Sequence, residues 1–287
     1  MRTFKILLAA FMLLFLGRNE HNLPLKIYFF DVGQAECIFI KLPDGQNMLI
    51  AAGNDADGRH IVNHLYGIGV KKIDILVATH PHEDHIGGMD EVINAFYIDK
   101  IYAPPIMDDD IPDTLCYNDY INALKSKNLS ETEISAGDQI LTTDNISISC
   151  LSPKRENYAV LNEYSVVLKI EFKSKVFILM SDAEQNNESE MLSSGIDLTC
   201  DLLKIGHHGS LTSSSKAFIG STLPRYAIIS AGRGNEYGHP SKSVLRRLNS
   251  IGAQIYRTDI LGTLSAESDG EIIRIKSYNI CLDGDKF

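Results

Sequence analysis

Three histidines and an aspartate fall within six residues, in the stretch Thr79-His80-Pro81-His82-Glu83-Asp84-His85. The stretch directly follows the continuous apolar run Ile73–Ala78, read as a strand with both faces covered. It opens a helix predicted from about Asp84 to Phe96. In α/β folds, sites form beyond the carboxyl ends of strands, so this cluster restricts the chain to architectures that place a strand end beside a pocket. His80 and His82 leave the strand two residues apart, and their rings point the same way. Asp84 and His85 follow on the first helical turn and face a second point. Imidazole nitrogen and carboxylate oxygen arranged in this way suit two metal ions a few ångströms apart. Gly87 and Gly88 remove side chains where the helix passes close to the sheet. The competing reading is a polar surface loop that happens to contain histidines.

Two more strand ends deliver residues of the same kind. Met180-Ser181-Asp182 closes a strand at Lys175–Met180, and a carboxylate there can bridge two metals; the alternative is a helix N-cap. Ile205-Gly206-His207-His208-Gly209-Ser210 closes a strand at Asp201–Ile205, and one histidine of the doublet is a further ligand. No histidine occurs from Ile86 to Gly206.

The rest of the chain reads as strands and helices of one large α/β unit. Strands are expected at Leu25–Asp31, Cys37–Lys41, Asn47–Ala51, Lys100–Ala103, Gln139–Thr142, Ile146–Leu151 and Ser165–Phe172. Later strands fall at Tyr226–Ser230, Gln254–Arg257, Thr263–Ala266 and Ile272–Lys276. Helices are expected at Gly58–Leu65, Tyr117–Asn128, Glu184–Ser193, Ser214–Ile219 and Ser241–Ile251. Pro104–Asp113 reads as an acidic loop, solvated or cation-binding. Each half runs strands first and then strand–helix alternation. Two mixed sheets packed face to face, with helices outside, bury such strands on both sides. One domain over 25–287 is the expectation, and a division near Pro153 the lesser option.

Composition narrows the function. The 287 residues carry 27 basic and 37 acidic side chains, a net charge of −10, which argues against holding nucleic acid by bulk charge but leaves room for a local basic rim. Five cysteines, widely spaced and without a Cys-x-x-Cys pair, give neither a disulfide framework nor a thiolate zinc site. At the start, Arg2 and Lys5 lead into the apolar run Ile6–Leu16. Its length as a helix, about 16 Å, falls short of the ~30 Å hydrocarbon layer and matches a secretory signal. Residues 1–24 are therefore expected to be a cleaved signal or an uncleaved tether plus linker. The domain is then extracytoplasmic, touching membrane only through residues 4–17, with no defined protein partner.

These residues resemble the metallo-β-lactamase-fold hydrolases, and most closely the hydrolase domain of the ComEC-type competence proteins. Phe30-Asp31-Val32-Gly33-Gln34 is similar to the family's opening block. Thr79–His85 with Gly87 and Gly88 is similar to its metal signature, and Asp182-Ala183-Glu184 to its bridging-aspartate segment. His207–Ser210, Asn235–Pro240 and Arg257-Thr258-Asp259 with Gly262 resemble later blocks, in order. The resemblance implies a four-layer αββα sandwich with the site along one edge. It implies that His80 and His82 hold metal 1, that Asp84, His85 and His207 hold metal 2, and that Asp182 bridges. His207 is favoured over His208, which is left to contact substrate or to replace it. Asp31 and Gln34 are further candidates for substrate contact. His239 is expected to bind an anionic oxygen or to protonate a leaving group, or else to be a turn histidine before Pro240.

The chain departs from the family in two places. The third histidine that many members offer metal 1 is missing, and Asn162, followed by Ser165, stands there instead. An amide oxygen is a weaker zinc ligand. Zinc (Zn2+) is expected at both sites, with metal 1 held loosely, replaced by manganese (Mn2+) or recruited only with substrate; a β-lactamase activity is disfavoured. The opening block also continues as Ala35-Glu36-Cys37, with Glu36 keeping a carboxylate. The expected function is hydrolysis of a phosphodiester, in DNA, RNA or a small extracytoplasmic ester, by a metal-bound hydroxide. Asp84, Asp182 and His239 are the catalytic candidates, and Lys204 and Arg233 candidate phosphate cations. The alternative is a non-catalytic metal- or partner-binding module.

Overall fold

The sequence folds into two mixed β-sheets, and the computed structural model describes residues 23–284. The first strands are β1 (Leu25–Phe29), β2 (Ile38–Lys41), β3 (Asn47–Ile50), β4 (Lys72–Val77), β5 (Tyr97–Ala103) and β6 (Glu131–Glu133). Then come β7 (Gln139–Thr142), β8 (Ile146–Ser152), β9 (Val167–Phe172), β10 (Lys175–Leu179) and β11 (Leu202–Lys204). The last are β12 (Tyr226–Ile229), β13 (Gln254–Arg257), β14 (Thr263–Ser268) and β15 (Ile273–Tyr278). One sheet runs β15-β14-β1-β2-β3-β4-β5-β6 and the other β13-β12-β11-β10-β9-β8-β7. Each is antiparallel at one end and parallel at the other, with the change at β3–β4 and at β9–β10–β11.

The core lies where the alternation predicts. Ile27, Phe29, Ile38, Ile40, Met48 and Ile50 of the first sheet pack against Ile148, Leu168, Ile170, Phe177 and Leu179 of the second. The opposite face of the first sheet is covered by Ile61 and Leu65 of the helix Gly58–Gly67 and by Tyr120 and Leu124 of the helix Leu115–Lys127. The opposite face of the second is covered by Met191, Phe218, Val244 and Leu248 from three further helices. This is the expected αββα sandwich. At about 25 cal/mol per Å² of apolar surface removed from water, these three layers supply the main drive for folding.

Two local readings need correction. The helix expected from Asp84 to Phe96 is two pieces, Glu83–Ile86 and Met89–Ala95. The break falls at Gly87-Gly88, which abuts the backbone of the loop after β3. A Cβ on Gly88 would stand 2.5 Å from the Ala52 carbonyl oxygen and 2.6 Å from Gly58 Cα. The strand β6 was not foreseen, because three residues reading Glu-Thr-Glu carry no apolar alternation. It is an edge strand, where charges discourage pairing with other chains. In the acidic loop, Asp110 accepts a hydrogen bond from the Tyr164 hydroxyl at 2.6 Å. The expected N-terminal signal or tether falls on residues 1–22, outside the described residues. Among the described residues no helix is long and apolar enough to cross a membrane.

Candidate metal centre

The carboxyl ends of β4, β10, β11 and β12 meet at one edge of the sandwich, where the two sheets contribute opposite walls of a cleft of about 680 Å³. From the first sheet, the turn after β4 delivers His80, His82, Asp84 and His85. His80 and His85 are buried on the floor, and Thr79 Oγ1 lies 3.0 Å from His85 Nδ1 and 3.4 Å from His80 Nδ1. His80 Nε2 and His82 Nδ1 are 3.0 Å apart.

From the second sheet, Asp182 follows β10. It is not a helix cap, since the helix Gln185–Ser193 has Glu184 as its N-cap residue. Its N–H donates to the buried Ser165 Oγ at 3.2 Å, and its side chain is sealed from solvent. Asp182 Oδ1 lies 3.2 Å from His85 Nε2 and its Oδ2 lies 3.6 Å from His208 Nε2. His208 Nε2 is also 3.2 Å from Asp84 Oδ2. Ligand-type atoms of Asp84, His85, Asp182 and His208 all fall within 4.8 Å of one another.

His208, the alternative member of the doublet, belongs to this four-residue group, while His207, the favoured one, lines the same cleft with its Nε2 3.7 Å from Asp182 Oδ2. His207 and His208 both adopt left-handed backbone, at φ 47° and 52°. Two such residues in succession cost of order 1–2 kcal/mol each and swing the second ring inward. His208 Nδ1 donates to the Ser230 carbonyl at 3.0 Å, which leaves Nε2 as the nitrogen that faces Asp84 and Asp182. His207 Nδ1 lies 3.1 Å from Thr212 Oγ1 and 3.3 Å from Glu184 Oε1.

Other expected residues divide. Gln34, Asn162, Arg233 and His239 line the cleft; Asp31 does not, and its Oδ1 accepts from the Gly33 N–H at 3.4 Å. Gln34 Oε1 accepts from the Gly232 N–H at 3.0 Å, which ties the first block to the loop after β12. Asn162 Nδ2 donates to Glu184 Oε1 at 3.0 Å. Lys204 is no phosphate cation: it is buried and ion-paired with the equally buried Glu36, which is also where that carboxylate went. Lys204 Nζ donates to the Ile205 carbonyl at 3.0 Å, and the Glu36 N–H donates to the Asp84 carbonyl at 3.0 Å. The pair thus ties the two walls together behind the site. Thr79, Glu184 and Thr212 were missed, although Thr79 and Glu184 adjoin the recognised ligand-type residues in sequence.

The electrostatics follow from burial opposed by pairing. Burial pushes Asp84 up, but His85 and the hydrogen bond from His208 outweigh it and hold its carboxyl well below the usual range. Asp182 is likewise held low against burial, by His208 and His85. Burial lowers His85, yet the carboxylates of Asp182 and Asp84 push it up to about 9. Burial and the nearby His85 keep His80 well below its ordinary value, and burial lowers His82. Burial also lowers His239, helped by His207 and His208.

Two buried polar atoms here have no hydrogen-bond partner, Asn162 Oδ1 and His239 Nδ1, while His85 Nε2 and Asp182 Oδ1 face each other at 3.2 Å. An orphaned buried acceptor or donor is costly, about 1–3 kcal/mol. A set of imidazole nitrogens and carboxylate oxygens brought together in this way fits a divalent transition metal.

A family model described as the metallo-beta-lactamase superfamily matches residues 30–233, which is more than half of the chain. The chain belongs to the metallo-beta-lactamase superfamily. That superfamily consists mostly of metal-dependent hydrolases. Among curated proteins the chain is 28% identical over 256 residues to ComE operon protein 3 of Bacillus subtilis, covering 83% of this chain and 32% of that protein. It is 27% identical to competence protein ComA of Neisseria gonorrhoeae, covering 82% and 31%. Recombination protein 2 of Haemophilus influenzae is 26% identical, covering 91% and 31%. The chain therefore spans about a third of the length of these relatives. Among solved structures it shares its fold with CmlA, a diiron β-hydroxylase of Streptomyces venezuelae (TM-score 0.56, 13% identity, covering 90% of this chain and 54% of that one). It shares it also with the metallo-beta-lactamase fold protein YhfI of Bacillus subtilis (TM-score 0.55, 12% identity, covering 88% and 100%).

Proposed function

We propose that this chain is a metal-dependent phosphodiester hydrolase that works outside the cytoplasm. One observation carries the reading: ligand atoms of Asp84, His85, Asp182 and His208 converge within 4.8 Å at the base of an open cleft. Asp84, His85 and His208 would hold one divalent ion, with Asp182 shared toward a second held by His80 and His82. The orphaned Asn162 Oδ1, beside His82 in the cleft lining, stands where a third ligand to that second ion is needed. Two imidazoles and an amide oxygen make it the weaker site and favour manganese over zinc there. When bound, such ions lower the pKa of a water ligand and neutralise phosphoryl oxygens in an in-line displacement.

The protein's own groups then divide the work. Asp84 is the acid of the cluster most open to the cleft, its side chain 29% exposed against 3% for Asp182, so it orients the attacking water. Asp182, held ionised and sealed, keeps His85 and His208 in place. His239, kept neutral, offers its N–H to a phosphoryl oxygen rather than a proton to the leaving group. Arg233 at the cleft wall adds positive charge for the same oxygens. The names of the curated relatives, competence and recombination proteins, favour a nucleic-acid phosphodiester as substrate. The N-terminal sequence supports the extracytoplasmic placement.

Release of nitrophenol from bis(p-nitrophenyl) phosphate by the manganese- or zinc-loaded protein tests this. Loss of an outer partner of a ligand costs up to ~100-fold in such sites, so Asp84→Ala should cost at least about 100-fold in kcat/KM. Tight metal binding without turnover, in wild type and variant alike, would mean a metal-binding module instead.

A further inference from the structure

One loop, between β12 and the helix Lys242–Ser250, brings three different groups to the cleft: Arg233, Tyr237 and His239 all line it. The loop is clamped from within. Asn235 Nδ2 donates to the Gly232 carbonyl at 2.9 Å and to the His239 carbonyl at 2.7 Å, while Asn235 Oδ1 accepts from the His239 N–H at 2.9 Å. Tyr237 stacks on His239, with ring centroids 5.7 Å apart and planes inclined by 25°. His239 in turn meets His207 edge-on at 5.8 Å. Yet Tyr237 is 73% exposed. A large ring that covers no core, held against a histidine of the site by a clamped loop, contributes little to folding. Its outer face is a shelf.

We propose that Tyr237 is a base-stacking subsite, so that the group beside the reacting phosphate is a nucleotide. The proposal rests on the phosphodiester reading above and names the substrate class within it. A planar base laid on Tyr237 leaves its phosphate over His239 and Arg233, at the mouth of the metal centre. Stacking on an aromatic side chain tolerates any base, because every base has a π-face. A neighbouring groove of about 430 Å³ meets the cleft at Tyr237 and His239 and carries Ser210, Ser241 and Lys242, giving the next nucleotide of a single strand a path.

The test compares adenosine 5′-monophosphate with ribose 5-phosphate, which differ by the base alone, by calorimetry on the manganese-loaded full chain. Wild type should bind the nucleotide about 10-fold more tightly, the scale of one base–aromatic stack. Tyr237→Ala should remove the difference between the two ligands, and Tyr237→Phe, which keeps the ring, should retain it. Equal binding of both ligands by wild type, including no measurable binding of either, overturns the subsite, as does a preference that survives Tyr237→Ala. Nitrophenol release, measured on the same samples, separates the two ideas. A nucleotide preference without turnover leaves the shelf and removes the hydrolase reading; turnover without the preference does the reverse.

Discussion

His208 Nε2 lies 3.2 Å from Asp84 Oδ2, although the two residues are 124 positions apart and follow strands of different sheets. The contact closes the site across the sandwich edge. The Ser230 carbonyl fixes the tautomer that makes it useful. His207, the residue before it, pairs through Nδ1 with Thr212.

The doublet should therefore divide sharply on substitution. His208→Ala is expected to lower metal affinity at the site by well over the ~100-fold that loss of an outer partner costs. His207→Ala, which removes contacts with Thr212, Glu184 and the His239 ring and an approach to Asp182 at 3.7 Å, should cost about 10-fold or less. Competition for manganese against a fluorescent chelator reads both. The reverse order would place the ligand on the wrong histidine.

Proton release should track metal loading. His85 is raised to about 9 in the metal-free protein, so its stabilising charge is fully present below its ordinary value of 6.5 and is lost as pH rises through about 9. Asp84 and Asp182, both depressed, contribute stability at neutral pH and lose it only in acid. The metal-free protein should thus melt lower at about pH 9.5 than at about pH 6.5. Metal replaces the proton on His85, so binding should release protons and tighten as pH rises. Thermal unfolding with and without chelator, at the two pH values, checks the sign. Metal affinity that is flat across this range would contradict the pairing of His85 with Asp182.

The Glu36–Lys204 pair makes a stability prediction independent of metal. Lys204→Met leaves a buried carboxylate without its partner and should cost about 3–5 kcal/mol in denaturant unfolding. The double change Glu36→Gln with Lys204→Met removes both charges and should recover most of that loss. Equal losses in the single and double variants would show that the pair does not act as a unit.

Gly88 should resist any side chain. Its missing Cβ would meet the Ala52 carbonyl oxygen and Gly58 Cα, both backbone atoms that cannot turn aside. Gly88→Ala should destabilise the fold by about 1–3 kcal/mol, as overpacking does, and should weaken metal binding because the same turn carries Asp84 and His85. Unfolding midpoint and manganese affinity, measured together, check it.

Much of this was legible in the residues. Strands such as β4 and β10 announced themselves as apolar runs, and the His80–His85 cluster marked one strand end as a site. Asp182 could be placed because its strand is continuous with it. What stayed hidden depended on backbone handedness and long-range pairing. No periodicity reveals that both His207 and His208 turn left-handed, and that turn sets how each ring meets Asp182. A lysine in a sequence reads as surface charge; that Lys204 is sealed against Glu36 is visible only once the two sheets face each other. Asp31 looked like a site residue because its block does reach the cleft, but through Gln34. Tyr237 lies inside the Asn235–Pro240 block that resembles the family, but nothing in the sequence singles it out from its neighbours.

Anomalous diffraction at the manganese edge, from crystals of the manganese-loaded protein, tests the central claim most directly. The account predicts a peak at coordination distance, about 2.0–2.2 Å, from nitrogen or oxygen of Asp84, His85, Asp182 and His208. A second, weaker peak is expected at His80 and His82, with the Asn162 oxygen beside it. A well-ordered site with no peak among these side chains, or with the metal bound elsewhere on the chain, would contradict it.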